Sequence, residues 1–410
     1  MKKFKINLIE LLLFVYIFSI SFFSIGSYPL KFVKLCFCLL TIFFIIKKRI
    51  FLMIKNKYIL YILLFTLFSF LSIFWAYNKD YAMTMSITLL LNSVCLILVM
   101  YLILENKKIK NISLWDSLVP ILYGIIFGSI FMGLNVFIQN GPFVFIKNSI
   151  RGIDNVSANV LGMNCAIASI ILITMNHYEK KIFYKFLLVL SVMFTFLSAS
   201  RKSLIFLGIP ILFTLIFTSK DIGKIIIRIF ISCIVVFISY LCIMKVNFLY
   251  DGVGHRVESM IQAFNGTGGD SSARTRNMMI QRGIKWFANE PIKGYGMNNY
   301  SYLFGINVDS IWGKKGVYAH NNFVELLVDI GLIGTILYYS MHLSIILNWI
   351  KKIKNRNYHS IVFVGILLSI ILTDYGMVSY FNILTQLLIL LCWLLICSDY
   401  EVIVKERRDE

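Results

Sequence analysis

The sequence has few charged residues and few prolines, and both features restrict the class of protein that it can encode. Only 15% of its 410 residues are charged, whereas 59% are hydrophobic, and the mean hydropathy is +0.80. A soluble domain of this length could not cover its surface with so few charges. With only five prolines there is no proline-rich linker either. Lipid is the solvent that suits this composition, which therefore predicts a membrane protein.

Cysteine and carboxylate patterns that mark disulfide or metal sites are also missing. The eight cysteines all fall within apolar stretches, and no Cys-x-x-Cys pair occurs. We interpret them as small buried hydrophobic residues. The sequence contains no Asp-x-Asp cluster. We therefore predict neither a metal site nor another cofactor.

The sequence is rich in apolar segments that are long enough to cross a bilayer. A hydrocarbon core about 30 Å thick needs roughly 20 apolar residues in a helix. About twelve segments qualify: 8–25, 30–46, 58–76, 82–104, 114–138, 156–176, 183–199, 203–218, 225–244, 321–349, 360–377 and 379–398. The predicted fold is thus all-α and polytopic, with about 12 spans.

A long polar segment between spans 9 and 10 divides the chain into three parts. Residues 1–244 hold about nine spans, 245–320 form a large extracytoplasmic loop with short helices, and 321–410 hold about three spans and a cytoplasmic tail. Within the loop, a helix is expected from Arg276 to Asn289, lying on the membrane surface and ended by Pro291, because proline cannot continue the hydrogen-bond ladder.

The net charge of +20 follows the predicted topology. Connections on one side of the membrane hold 24 lysines and arginines, and the short connections on the other side hold 7. Long translocated loops are exempt from this bias, and cytoplasmic connections carry the excess. Both termini are therefore predicted to be cytoplasmic, and a nucleic-acid partner is not expected.

Three short patterns, in a fixed order, carry a resemblance to a known family. A Ser-x-Ser-Arg pattern ending at Arg201 starts a predicted span, and Arg276 lies fifteen residues before a Pro-x-x-Gly-x-Gly turn that begins at Pro291. A His-Asn pair at 320–321 is followed, after nine residues, by Gly-x-x-Gly-Thr at 331–335. Over roughly residues 150–380 the sequence resembles the O-antigen ligase and O-antigen polymerase superfamily of bacterial inner-membrane proteins.

The resemblance implies a metal-independent glycosyltransferase of the bacterial inner (plasma) membrane. In the family, a glycan carried on undecaprenyl diphosphate moves to an acceptor hydroxyl on the outer face. The acceptor is another lipid-linked repeat unit in polymerases and the lipid A core in ligases. We favour the polymerase, because Ile336 stands where ligases often carry a second threonine. The implied partners are the lipid-linked oligosaccharide, an acceptor glycan or glycolipid, membrane lipid and a chain-length regulator.

Arginines are the predicted binding groups for the diphosphate. Arginine offers a permanently charged fork that matches phosphate oxygens. Arg201 and Arg276 are predicted to be catalytic, and Arg274 is the alternate for Arg276 and a substrate-binding candidate. The other interpretations are that Arg201 snorkels to the interface at a helix end and that Arg274 is a solvated loop charge. Arg151, in the preceding outer loop, either faces the acceptor sugar or is an ordinary loop residue.

His320 is the predicted catalytic base, since imidazole exchanges protons near neutral pH. The alternative is an interfacial histidine without a catalytic role. Asn321 either contacts the ring or a sugar, or only caps the next helix. Glu325 and Asp329 are acidic groups inside a predicted span and need partners. One of them is expected to orient His320 or to pair with an arginine, and Glu325 is a substrate-binding candidate.

Two further expectations concern packing and alternative functions. Gly331 and Gly334 are predicted to admit a close neighbouring helix. A transporter or flippase for lipid-linked sugars is the different-class alternative, and it predicts functional charges along a central cavity in both halves. Here the charges cluster on one face. The Arg–His constellation also argues against a non-catalytic scaffold.

Overall fold

Helices account for all the regular structure of the described residues, and no strand occurs among them. The structure, a computed structural model, describes residues 7–23, 27–48, 56–141, 157–198, 200–219, 221–245, 250, 254, 258, 262, 271–307, 316–353 and 357–397. The helices are α1 Leu8–Phe22, α2 Ser27–Lys48, α3 Lys57–Leu71, α4 Lys79–Lys110, α5 Leu114–Asn140, α6 Ala158–Glu179, α7 Ile182–Leu197, α8 Arg201–Phe217, α9 Ile222–Lys245, α10 Ser271–Asn289, α11 Asn299–Asn307, α12 Asn322–Lys351, α13 Tyr358–Thr373 and α14 Ile383–Cys397. The all-α class is confirmed.

Every one of the twelve predicted spans coincides with a helix in the described part of the chain. Six segments there are long and apolar enough to cross a membrane: Pro29–Ile46, Lys57–Phe74, Lys79–Lys110, Leu114–Asn140, Ala158–Glu179 and Asn322–Lys351. Four shorter apolar helices accompany them, namely α1, α7, α13 and α14. The chain is a membrane protein, and its total of about twelve spans stays a prediction.

Helix α14, the last one among the described residues, lies at the centre of the bundle. Its residues from Ile383 to Ile396 are all buried, whereas α9 exposes large apolar side chains such as Ile226 and Phe230. A helix that is apolar all round is buried in protein or faces lipid. We therefore interpret α14 as the core of the protein and α9 as a peripheral, lipid-facing helix.

Helices α8 and α13 approach closely, and this contact matters for the site. A Cβ on Gly365 would lie 2.6 Å from the Cα of Pro210, so the glycine admits the α8 backbone. Helix α8 begins at Arg201, and α13 ends at Thr373, followed by a turn through Asp374 and Gly376. Close packing along the two helices brings the start of α8 beside that turn.

Helix α12 is not the continuous span that the sequence predicts. Gly331 has φ 63° and ψ −166° inside it, which are not helical angles. In one straight helix Asn322 and Tyr339 would stand about 25 Å apart, yet the Asn322 amide donates to the Tyr339 hydroxyl at 2.9 Å. The ring of Phe323 also stacks on Tyr339, with centroids 4.8 Å apart. Residues 322–330 and 332–351 therefore form the two arms of a V with Gly331 at its apex.

The predicted helix at 276–289 is confirmed, and it begins earlier, at Ser271. This helix, α10, packs on the first arm of the V, where a Cβ on Gly283 would collide with the side chain of Val324. Helix α11 joins the same cluster, because the Tyr300 hydroxyl donates to the Met279 carbonyl at 2.8 Å. The polar segment is thus built into the bundle through the V. Its position outside the membrane stays a prediction.

Candidate functional site

The Pro-x-x-Gly-x-Gly turn closes the break in α12. A broken helix leaves carbonyls before the break and N–H groups after it without intrahelical partners. Two carbonyls before the break accept hydrogen bonds of 2.9 and 2.7 Å from the turn, Val328 from the N–H of Tyr295 and Asp329 from the N–H of Gly296. Two N–H groups after it donate to turn carbonyls at 2.9 and 3.3 Å, Leu332 to Pro291 and Ile333 to Ile292. Two motifs that are separate in sequence therefore form one structural unit.

The glycines of both motifs are required where the two backbones meet. Gly294, Gly296 and Gly331 have φ values of 68°, 96° and 63°, a region that side chains rarely tolerate. A Cβ on Gly294 would lie 2.5 Å from the Val328 carbonyl oxygen, and one on Gly331 would collide with the Ile292 carbonyl. The expectation that Gly331 admits a neighbouring helix is therefore wrong. Gly331 instead lets the backbone of the turn come close enough to form the hydrogen bonds described above.

A third segment, residues 72–78 between α3 and α4, braces the turn from the other side. The Tyr77 N–H donates to the Tyr295 carbonyl at 2.9 Å, and the Trp75 indole N–H donates to the Lys293 carbonyl at 3.1 Å. Asn78 and Asn299, 221 residues apart, exchange two hydrogen bonds of 2.7 and 3.2 Å. The motifs that carry the family resemblance all lie after residue 197, so no sequence pattern predicted this contact.

Two buried carboxylates on the first arm hold neighbouring backbone. Asp329 accepts from the N–H groups of Asn298 and Tyr300, at 2.8 and 2.7 Å. Glu325 accepts from the Ala319 N–H at 2.6 Å and is 1% exposed. These three hydrogen bonds are thus donated by backbone N–H groups, while the second Glu325 carboxyl oxygen has no partner among the described residues. Glu325 fixes the residue directly before His320, an arrangement that favours orientation of the histidine over contact with substrate.

His320 lies just before the first residue of the first arm, Asn322, and has an unusual backbone conformation. Its φ is 54°, in the left-handed region, and its ring lies 4.2 Å from that of Tyr318. Burial first, and then the positive charges of Arg276 and Lys202, together lower the pKa of the imidazole to about 4. His320 is therefore neutral at ordinary pH, the form that a general base requires.

The two asparagines after His320 fix the start of the first arm. Asn321 caps the helix, since its side chain accepts from the Val324 N–H at 3.0 Å, and it is buried. This is the capping role that the sequence left open. Asn322 is held by the α13–α14 connection, where its N–H donates to the Asp374 carbonyl at 2.7 Å and its side-chain oxygen accepts from the Ser379 N–H at 2.9 Å.

The basic residues predicted from sequence divide into three groups. Arg276, half-buried on α10, acts electrostatically on both His320 and Tyr318. Arg201 is the first residue of α8, directly before Lys202, and Arg274 is exposed on α10. Arg151 lies outside the described residues. The assignment of catalytic and substrate-binding roles stays a prediction for all four.

Lys202 is the residue that the sequence analysis missed. It entered that analysis only as one of the basic residues on the predicted outer side. Its charge acts on His320 together with that of Arg276. Its place directly after the Ser-x-Ser-Arg pattern was the available signal. As for metals, the described residues contain no group of three or more His, Cys, Asp or Glu side chains that could hold an ion.

Fold and site together define a polytopic helical membrane protein with a basic, histidine-containing site at one end of the bundle. Residues 186–339 match the family model of the O-antigen ligases. The matched segment runs from α7 through α8, α10 and the turn into the second arm of α12, and so it includes every element that lines the site except the α13–α14 connection and residues 72–78. The resemblance to the O-antigen ligase and polymerase superfamily is confirmed, and it supports glycan transfer in general. No curated protein matches the chain.

Proposed function

We propose that this protein transfers a glycan from undecaprenyl diphosphate to a hydroxyl of an acceptor glycan, and so polymerises the repeat units of a surface polysaccharide. The observation that carries the proposal is His320, which follows a residue fixed by Glu325 and whose pKa is lowered by burial and by the positive charges of Arg276 and Lys202. A base and fixed cations are what displacement of a diphosphate by a hydroxyl requires.

The reaction is a substitution at the anomeric carbon of the donor sugar. His320 accepts the proton of the acceptor hydroxyl, and the oxygen forms the new bond to the anomeric carbon. The bond from that carbon to the diphosphate oxygen breaks, and the electron pair leaves with the lipid diphosphate. Arg276 and Arg201 stabilise the charge that develops on the leaving group. Because side chains supply the positive charge, we propose that the reaction needs no divalent metal.

The proposed site faces outward at the bacterial inner membrane, with both termini in the cytoplasm. The basis is the distribution of lysine and arginine among the connections. Reporter fusions at position 270 are expected to be external and those at position 355 cytoplasmic. A cytoplasmic signal at position 270 would put the site on the wrong face for a lipid-linked donor that has been flipped outward.

Ligation to lipid A core is the second candidate, because the matching family model is described as that of the O-antigen ligases and the match supports glycan transfer of either type. The two reactions share donor and chemistry and differ in the acceptor. Purified protein given lipid-linked repeat units alone distinguishes them, because only a polymerase then makes longer lipid-linked chains. A polymerase is also expected to work with a chain-length regulator, which a ligase does not need.

The same assay tests the site. We expect Arg276→Ala and Arg201→Ala to abolish transfer while the protein stays in the membrane, and the lysine replacements to restore little of it, because a point charge lacks the bidentate fork. Lys285→Ala is the matched control, since Lys285 is exposed on the same helix as Arg276. EDTA is expected to leave the wild-type rate unchanged. Full activity of Arg276→Ala, or Mg²⁺-restored activity after EDTA, would contradict the proposal.

A further inference from the structure

We propose that Lys202 is a further donor-binding residue, which completes with Arg276 and the N-terminus of α8 a site for the donor diphosphate beside His320. The inference rests on the proposed function, because it names a residue of the same site. It assigns a role to a side chain that neither the sequence motifs nor the family match singles out.

Geometry directs the Lys202 side chain towards the turn that follows α13. Its Cε would lie 3.4 Å from a Cβ built on Gly376, so the aliphatic chain extends across that turn. In the same turn the Asp374 carbonyl accepts from the N–H of Asn322, two residues after His320. Lys202 therefore approaches the histidine through the α13–α14 connection, whereas Arg276 approaches it from α10.

Electrostatics gives independent support for this convergence. The positive charges of both Lys202 and Arg276 disfavour protonation of the His320 ring. Both side chains therefore lie near the imidazole, because the effect of a charge on a pKa falls with distance. The Tyr318 ring contacts that of His320, with centroids 4.2 Å apart, and one Glu325 carboxyl oxygen has no hydrogen-bond partner among the described residues. The Glu325 carboxylate accepts from the Ala319 N–H, and the Asp374 carboxylate accepts from the hydroxyls of Tyr339 and Ser379.

The start of α8 adds a third source of positive potential. Ser200 is the N-cap residue, but its hydroxyl donates to the Asn159 side chain at 2.9 Å and does not cap the helix. The N–H groups of the first turn of a helix point outward and carry a partial positive charge, which favours phosphate groups. Lys202 stands in this first turn. A helix N-terminus, a lysine and an arginine are thus grouped around one base.

This arrangement suits an anion with more than one charge, and a diphosphate offers two phosphate groups to the two cations. Binding of the diphosphate also neutralises the two charges that, in addition to burial, lower the pKa of His320. The donor then strengthens the base that acts in its own reaction. Without the donor, His320 is a poor base, so the arrangement disfavours proton abstraction at an empty site.

The test uses the purified full-length protein and inorganic diphosphate as the probe. We expect Lys202→Gln to weaken diphosphate binding by about tenfold or more in calorimetry, which is the effect of losing one hydrogen bond between charged groups. Lys202→Arg is expected to bind nearly as the wild type does. Lys285→Gln removes the same charge from an exposed position on α10 and is expected to change nothing.

A second readout separates binding from mere structural support. Exchange of the His320 ring C2 hydrogen, followed by mass spectrometry across pH, reports the pKa of that residue. Lys202→Gln is expected to raise this pKa in the ligand-free protein, and diphosphate is expected to raise it in the wild type. Lys285→Gln should again match the wild type.

The outcomes are distinguishable. Wild-type diphosphate binding by Lys202→Gln, with an unchanged His320 pKa, would overturn the role of Lys202 and leave the proposed function standing. Failure of the wild-type protein to bind diphosphate would overturn both. If phosphatidylglycerol displaces diphosphate as well as a lipid diphosphate does, the site is one for lipid headgroups and the inference is wrong.

Discussion

The two ends of the helical bundle are held together in different ways. At the site end, the turn at 291–296 and residues 72–78 meet the apex of the V in α12 through backbone hydrogen bonds between distant segments. At the opposite end, helices begin at side-chain caps from nearby residues, and aromatic rings of neighbouring helices stack on one another. Trp115 lies 3.6 Å from His359, and His177 lies 3.9 Å from Tyr358, centroid to centroid.

The contrast shows where the chain departs from ordinary helix rules. Caps at the opposite end are local: the side chains of Asn56 and Asn357 accept from N–H groups two and three residues ahead. The site end instead contains a broken helix and, at His320, a left-handed residue that does not end a helix, whereas the left-handed Asn111 and Lys180 at the opposite end are ordinary helix C-caps. Departures from local preference persist only where the surroundings determine them strongly, and they concentrate at functional sites.

The largest expected effect comes from the base itself. His320→Ala is expected to slow transfer by about 10²–10⁴-fold, roughly 3–5.5 kcal/mol, because the acceptor hydroxyl loses its proton acceptor. Diphosphate binding should persist, since the cations are unchanged. His359→Ala, at the opposite end, is the matched control and should retain most activity. Equal losses in both variants, measured as initial transfer rates at equal protein levels, would remove the functional distinction between the ends.

Breaking the apex of the V is expected to be nearly as severe. In Gly331→Ala the added Cβ meets the Ile292 carbonyl at a left-handed φ, and the combined cost is about 2–5 kcal/mol. The unfolding free energy in detergent should fall by that amount, and activity should be lost. Gly208→Ala on α8 is the control, because no atom lies within 4 Å of its Cβ. Wild-type stability of Gly331→Ala would contradict the V geometry.

Loosening one support of the turn should have an intermediate effect. Asp329→Asn keeps the shape of the side chain and replaces one of its two acceptor oxygens with a donor group. We expect a loss of about 1.5–3 kcal/mol in unfolding free energy, with a larger KM for the donor. Asp80→Asn, an exposed substitution at the same end, should leave both unchanged. No loss in Asp329→Asn would mean that the backbone bonds alone hold the turn.

At the opposite end, removal of an ion pair should matter little. Lys110 and Glu10 lie 2.6 Å apart and are partly exposed to solvent. Glu10→Gln is expected to lower the unfolding free energy by under about 1 kcal/mol and to leave transfer unchanged, because partly exposed pairs gain little in water. A loss of several kcal/mol, or of activity, would show that this end also supports the site.

The smallest expected effect is that of mild acid on the free enzyme. A base whose pKa is about 4 stays neutral down to about pH 5, so kcat/KM should be flat from pH 8 to about 5 and fall only near pH 4. The kcat profile should fall at a higher pH, because bound diphosphate raises the histidine pKa. An inflection of kcat/KM near 6.5 would indicate a solvent-exposed histidine without the neighbouring cations.

The sequence by itself predicted the long helices and most of the residues that we propose for the chemistry. Helices depend on local hydrogen bonds and on apolar composition, so their positions were predictable within a few residues, including the stop of α10 at Asn289 before Pro291. The motifs pointed to Arg276 and His320, and the charge count predicted an orientation. In each case the information lies within a short window of residues.

Only the tertiary structure decided which of these short segments contact one another. The sequence shows Gly331 in an apolar run that continues as one helix, and only the turn at 291–296 explains why the helix breaks there. No local pattern indicated that Asn78 would hold Asn299, or that the charge of Lys202 would act on His320. Such contacts join residues that lie tens to hundreds of positions apart in the sequence. No local pattern indicates which of these residues become neighbours in the folded protein.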